Sequence, residues 1–160
     1  MAAQHGGRMA VVGLNNTKII PAGWEAHHRP VPVGAMTGIC VVREADLPGE
    51  YPDFTATPGR PLSKQVPCRV QQLQREGRAN TVGGMTDTRG YQITIPLDTW
   101  PVGVEVTDTG PIVTVTGYQA GHDGDPDLIG RALRVTNMQR GTLAWERVLY
   151  CTDDLSEGTP

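Results

Sequence analysis

Aromatic residues and long apolar runs are scarce in this sequence. It contains one Phe, three Trp and four Tyr in 160 residues. A barrel that binds single-stranded nucleic acid needs exposed aromatic side chains in a basic groove, so this composition disfavours that function. The longest N-terminal apolar run, residues 9–12, is too short for a signal-peptide core, and no segment approaches the roughly 20 apolar residues of a membrane span. We therefore predict a soluble cytosolic product.

Clusters of basic residues and pairs of cysteines are also lacking. The formal net charge is −3, and Lys and Arg are scattered along the chain, which does not favour binding to a phosphate backbone. The three cysteines, Cys40, Cys68 and Cys151, are an odd number and lie far apart. Each falls within an apparent strand, where a buried free thiol behaves as a small apolar residue. This pattern predicts a reducing compartment.

Glycine and proline, by contrast, are abundant, with 20 and 13 residues respectively, as expected for short strands joined by turns. The most regular strand pattern lies in residues 91–118, where Tyr91, Ile93 and Ile95 alternate with polar residues. Turn residues interrupt this stretch twice and divide it into three strand candidates. These are residues 91–97, 104–107 and 112–116. Three strands in sequence predict a meander.

Four further strand candidates lie outside this stretch. They are residues 37–43, 67–74, 131–136 and 143–152. We expect 67–74 to pair with 91–97, and the last two strands to form a hairpin. A short helix is predicted in residues 21–29, with Trp24 as its packing anchor and with Pro30 and Pro32 limiting its length. Together these elements predict one all-β domain over residues 15–153, a small β-barrel of about six or seven mostly antiparallel strands.

Four segments are predicted to lie outside the regular elements. Residues 1–14 are interpreted as a flexible N-terminal arm, and residues 154–160 as a polar C-terminal tail. Residues 44–64 contain too many prolines and glycines for a regular element and are interpreted as a surface excursion. Residues 76–90 are long for a hairpin connection and rich in Gly and Thr, so they predict a projecting loop between two strands.

Signatures of catalysis are nearly absent. The sequence has no GxSxG, no phosphate-binding glycine loop and no Cys-x-x-Cys pair. Asp108-Thr109-Gly110 matches the catalytic triplet of aspartic proteases, in which two such loops bring together carboxylates that share a proton. However, Pro111 follows the triplet, and Asp, Gly and Pro are also the residues that a β-turn requires. We therefore predict a turn at this position.

Metal-binding patterns are likewise incomplete. His122, Asp123, Asp125 and Asp127 partly imitate a calcium loop, but Arg134 stands where the final bidentate Glu is required. His27 and His28 lie beside Glu25 without the spacing of a zinc-binding helix. We expect a solvated turn and a packed helix surface, and no cofactor. An interaction or structural protein is the leading class, and we predict no enzymatic activity.

Four features together resemble the head-closure proteins of tailed phages, also called head-to-tail stoppers, most closely those of phages that infect actinobacteria. They are the segment WEAHHRP at residues 24–30, the strand 91–97 that ends in Asp98-Thr99, the Asp108-Thr109-Gly110 turn and the closing hairpin within residues 131–152. The resemblance covers approximately residues 15–153.

The resemblance implies a β-barrel that forms a symmetric ring in the virion neck after assembly in the host cytoplasm. Its implied partners are the portal adaptor above, the tail terminator or tube below, and packaged double-stranded DNA bound without sequence specificity. The family's channel plug corresponds by position to residues 76–90. The candidate plug residues are Arg78, Asn80, Thr81, Gly83, Gly84, Met85, Thr86, Thr88 and Arg89. The Pro-rich insertion 44–64 departs from the family's pattern, because it is longer than a compact barrel needs. Its aromatic residues Tyr51 and Phe54 are candidate contacts between subunits, as is Trp24.

Two alternatives stay open from the sequence. A tail terminator, or another β-protein of the neck, would use the same barrel at a different level. A dimeric aspartic protease acting through Asp108 would belong to another class and would lose its activity in Asp108→Asn.

Overall fold

The chain folds as a closed antiparallel β-barrel of six strands. In a computed structural model, the described residues are 23–52, 55–73, 89–141 and 144–153. The strands are β1 (Gly38–Arg43), β2 (Val66–Gln72), β3 (Arg89–Pro96), β4 (Ile112–Tyr118), β5 (Ala132–Met138) and β6 (Glu146–Asp153). Their order around the barrel is β1-β2-β3-β6-β5-β4, and β4 pairs with β1 to close it. The prediction of a small all-β barrel is confirmed.

Alternate residues of the strands fill the barrel interior. Cys40, Val42, Ile93, Leu133 and Leu149 have no exposed surface, as expected where a barrel of this size is filled by its own side chains. Cys68 and Cys151 also lie in this core, and all three cysteines are free and buried. The predicted role of the cysteines as small apolar residues within strands is therefore confirmed.

Two predicted strand pairings are confirmed. Strand β2 pairs with β3, with Val70 opposite Ile93, and β5 pairs with β6 as a hairpin. The predicted meander is wrong, because β3 pairs with β2 and β6 whereas β4 pairs with β1 and β5. Strands β3 and β4 thus follow one another along the chain but lie on opposite sides of the barrel.

The predicted strand at residues 104–107 is also not formed. Val104 and Val106 are half-buried while Glu105 is exposed, and Val106 packs against the barrel core. The Trp100 indole nitrogen donates to the Val104 carbonyl oxygen at 3.2 Å. The alternation of apolar and polar residues here comes from a loop that packs on the end of the core, without a partner strand.

The helical prediction is correct in position but not in extent. Helix α1 (Trp24–His28) ends before Pro30, as expected. Pro30 then begins a second short helix, α2 (Pro30–Gly34), because proline is well tolerated in the first turn. Single 3₁₀ turns occur at Leu97–Thr99 and Pro126–Leu128. No helix in the described ranges is long and apolar enough to cross a membrane.

Candidate functional site

The barrel has two ends with different loops. We call the upper end the one where β2, β4 and β6 finish, and the lower end the one where β1, β3 and β5 finish. The predicted projecting loop joins β2 to β3 at the upper end. Residues 74–88 lie outside the described residues, and with them the candidate plug residues Arg78, Asn80, Thr81, Gly83, Gly84, Met85, Thr86 and Thr88.

The two attachment points of this segment are held side by side. The Leu73 backbone nitrogen donates to the Gly90 carbonyl oxygen at 2.9 Å, and Gln72 lies opposite Tyr91 in the sheet. The predicted boundary at residue 90 is wrong, because Arg89 and Gly90 belong to β3 and lie opposite Asp153 and Thr152 of β6. Arg89 is therefore a strand residue with an exposed side chain at the base of the segment.

An ion pair closes the barrel interior at the same upper end. The Arg131 guanidinium bonds to the Asp153 carboxylate, which is only 5% exposed, and Arg131 Nε donates to the Asp127 carbonyl oxygen at 3.0 Å. The hydrogen bond to Asp153 raises the pKa of Arg131. Because the buried carboxylate of Asp153 has a charged partner, the free-energy cost of burying it at the upper end is compensated.

The acidic loop at the upper end forms a turn. The Asp125 carboxylate accepts a hydrogen bond from the Asp127 backbone nitrogen at 3.0 Å, and the Tyr118 hydroxyl donates to the Asp125 carbonyl oxygen at 2.6 Å. His122 and Asp123 are exposed. Among the described residues, no three His, Cys, Asp or Glu side chains are grouped so that they could hold a metal ion.

The excursion at residues 44–64 is held against the lower part of the barrel. Leu47 and Thr57 exchange two backbone hydrogen bonds of 3.0 Å each, and the Glu44 nitrogen donates to the Arg60 carbonyl oxygen at 2.9 Å. Tyr51 lies near its tip and is 84% exposed, whereas Phe54 lies outside the described residues. The excursion is thus a fixed arm of the barrel that presents Tyr51 outward.

Asp46 clamps the base of this arm, and the sequence analysis missed it. Its carboxylate bonds to both terminal nitrogens of Arg43 and accepts from the Gly59 nitrogen at 2.9 Å. Arg43 Nε in turn donates to the Thr114 hydroxyl at 3.2 Å. The hydrogen bonds from Arg43 lower the pKa of Asp46. The Arg-Glu-Ala-Asp sequence at the end of β1 indicates that Arg43 and Asp46 could pair. It does not indicate that Gly59, 13 positions after Asp46, completes the clamp.

Trp24 makes its contacts within the described chain. Its ring centre lies 4.8 Å from that of Trp145, just before β6, and 4.6 Å from that of His28. Arg29 forms an ion pair with Asp98 at 2.7 Å. These contacts fix α1 beside the lower end of the barrel. Trp24 is half-buried, so only the exposed part of its side chain is available for the predicted contact between subunits.

The Asp108-Thr109-Gly110 triplet forms the predicted turn. The Thr107 nitrogen donates to the Gly110 carbonyl oxygen at 2.8 Å, and Arg134 donates to the Asp108 carbonyl oxygen at 2.6 Å. The Asp108 side chain is exposed at the lower end. A carboxylate in this position is solvated.

The structure does not bring the candidate residues together into one site. Arg89 is at the upper end, Tyr51 is at the tip of the lower arm, and Trp24 is beside β6. What the barrel provides instead is two ends, each with a loop held by a buried or half-buried ion pair.

Comparisons with known proteins identify a family but no characterised relative. Residues 28–152, which include β1 to β5 and all but the last residue of β6, match a family described as a family of unknown function (DUF6093). No curated protein matches the chain, and no solved structure matches it.

Proposed function

The chain belongs to the DUF6093 family, and from its own residues and geometry we propose that it is a structural protein of the phage virion neck. In this role it forms a ring between the portal adaptor and the tail, retains packaged DNA, and provides the surface on which the tail docks. The role is non-enzymatic. The proposal rests on the sequence resemblance to head-closure proteins together with the organisation of the barrel.

The observation that carries the proposal is the fixed base of residues 74–88. Leu73 and Gly90 are hydrogen bonded to each other, so a connection of 15 residues leaves and re-enters the barrel at one point. In a ring, every subunit would present this connection at the same radius and height. Weak contacts from many copies with DNA would then add together, which is how a channel can be blocked without sequence-specific binding.

Closure of the barrel supports assembly through loops and side chains. Every strand has a neighbour on both sides, so a second subunit cannot join by extending an open sheet edge. A ring with a heterologous interface needs two different surfaces on each subunit. The arm at residues 44–64 and the α1–α2 segment supply two different protruding features on this barrel.

A deletion in the phage that encodes the protein tests the proposal. Removing residues 78–88 should give particles that assemble but lose DNA from filled heads. The control is Ile129→Ala, because Ile129 is an exposed apolar residue at the same upper end but outside this segment, and the substitution should leave DNA retention unchanged. Full DNA retention by the deletion variant would exclude this segment as the plug.

The rival functions give different results in the same system. Without the whole protein, a stopper leaves heads that leak, whereas a tail terminator leaves intact filled heads beside tails of uncontrolled length. A protease acting through Asp108 predicts acid-range cleavage by the purified protein that Asp108→Asn abolishes.

A further inference from the structure

The two ends of the barrel each contain an inward-facing arginine, but only one of them has a carboxylate partner. At the upper end, Arg131 bonds to the buried Asp153. At the lower end, Arg147 lies opposite Ile95 of β3 and is half-buried. Its Nη1 contacts the Met138 sulfur at 3.2 Å, and its Nε is enclosed without a hydrogen-bond partner. A thioether is a weak acceptor, so the charge of Arg147 is poorly compensated.

Five of the described arginines form ion pairs with acids. The ion pairs are Arg29–Asp98, Arg43–Asp46, Arg60–Glu44, Arg69–Glu146 and Arg131–Asp153. In the described ranges, no carboxylate lies within ion-pair distance of Arg147. A half-buried cation without a counter-charge is unfavourable, and a charge-assisted hydrogen bond to an anion would compensate it.

A pocket lies directly beside Arg147. It has a volume of about 450 Å³ and is lined by Trp100, Met138, Arg140 and Arg147, with Asp98 and Glu105 also on its walls. The hydrogen bond from the Trp100 indole to the Val104 carbonyl oxygen holds one wall in place. The pocket is therefore formed before any ligand arrives, and it has space for a small polar side chain.

We propose that this pocket binds a carboxylate, and that its occupant is an Asp or Glu side chain of the protein that docks on the lower end of the barrel. Arg147 and Arg140 supply the positive charge, and Trp100 and Met138 supply apolar walls. Asp98 on the wall is already paired with Arg29, so Arg140 and Arg147 outnumber the one remaining acid, Glu105. Glu105 repels a doubly charged phosphate more strongly than a singly charged carboxylate. The identity of the docking protein as a tail component rests on the proposed function, but the carboxylate chemistry does not.

Binding of a model ligand to the purified full chain tests the chemistry. The probe is N-acetyl-glutamate amide, which has a single side-chain carboxylate, followed through the Trp100 indole and Arg147 Nε–H signals in NMR spectra. We expect saturable shifts, at least tenfold weaker binding in Arg147→Met, and an intermediate loss in Arg147→Lys. Arg89→Gln, at the upper end, should bind as the wild type does.

Three outcomes would overturn the carboxylate site. They are no shift of either signal, equal binding of the neutral N-acetyl-glutamine amide, and tighter binding of inorganic phosphate. Thermal unfolding of Arg147→Met and Arg147→Lys checks that both variants are folded, and retained binding in either folded variant at wild-type strength would also refute the role of Arg147.

A second experiment tests the source of the carboxylate. Phage particles carrying Arg147→Met should contain the protein and retain DNA but attach fewer tails. Normal tail attachment by these particles would refute the docking half of the proposal while leaving the ligand-binding result intact. Absence of the protein from wild-type particles would instead refute the proposed neck function itself.

Discussion

Gly59→Ala tests whether the arm at residues 44–64 is a fixed part of the barrel. A β-carbon at Gly59 would lie 2.1 Å from the Glu44 carbonyl oxygen and 2.6 Å from that of Ala45. Both obstacles are backbone atoms, so the two sides of the arm must separate by at least about 1.3 Å for the 2.1 Å approach to reach the 3.4 Å of ordinary contact. That movement stretches the bond from the Gly59 nitrogen to Asp46 and the bond from the Glu44 nitrogen to Arg60.

The expected loss follows from these two bonds and the overlap. A hydrogen bond to a charged group contributes roughly 1.5–3 kcal/mol and a neutral one about 1 kcal/mol, while alanine recovers about 0.4–1 kcal/mol by restricting the unfolded chain. We expect Gly59→Ala to lower the free energy of unfolding by about 2–3 kcal/mol in urea titrations, by this balance of terms.

The matched control is Gly117→Ala, since a β-carbon at Gly117 of β4 meets nothing within 4 Å. Its stability should stay within about 0.5 kcal/mol of the wild type. Hydrogen exchange at Leu47 and Thr57 should accelerate only in Gly59→Ala, because their paired bonds close the arm. Equal stabilities of the two variants would show that the arm is not held as described.

Three further predictions concern the clamp, the thiols and the helix. Arg43 holds the pKa of Asp46 below its usual value, so Asp46 stabilises the fold above that usual pKa and this stabilisation is lost as the pH falls. Asp46→Asn should therefore flatten the decline in the free energy of unfolding below about pH 4. An unchanged decline would contradict the clamp. Burial raises the pKa of Cys151 to about 12, and a hydrogen bond with Cys68 together with burial raises the pKa of Cys40. At about pH 8 the thiols should react with a disulfide reagent only as fast as the protein unfolds. Rapid labelling of the native protein would refute the closed core. Trp24→Ala should lower the free energy of unfolding by about 1–2 kcal/mol and increase acrylamide quenching of Trp145, because the ring contact at 4.8 Å is lost. Val31→Ala changes an exposed side chain and should change neither quantity.

Local patterns were sufficient to predict the barrel strands. Alternation of Tyr91, Ile93 and Ile95 with polar residues placed β3 within two residues of its start, because a strand with one face in a core must repeat every second residue. The same period was misleading at Val104 and Val106. A loop that packs against a core can bury alternate residues too, and only the absence of a partner strand distinguishes it.

Long-range pairing was beyond the reach of the sequence. The meander prediction assumed that consecutive strands are neighbours, which is the common arrangement, whereas β3 is enclosed by β2 and β6. The Asp46 clamp and the Arg131–Asp153 pair have the same origin, since each includes a contact between residues that are far apart in the sequence: Asp46 with Gly59, 13 positions later, and Arg131 with Asp153, 22 positions later. The spacing of residues along the sequence does not indicate such a contact. The plug residues 78–88 are outside the described residues, so their role stays a prediction.

Cryo-electron microscopy of the intact virion tests the neck assignment most directly. We expect a ring of six-stranded barrels between the portal and the tail, with the Leu73 and Gly90 end of each barrel turned toward the channel. A neck map in which no density accommodates this barrel, or in which that end faces outward from the channel, would refute the neck function.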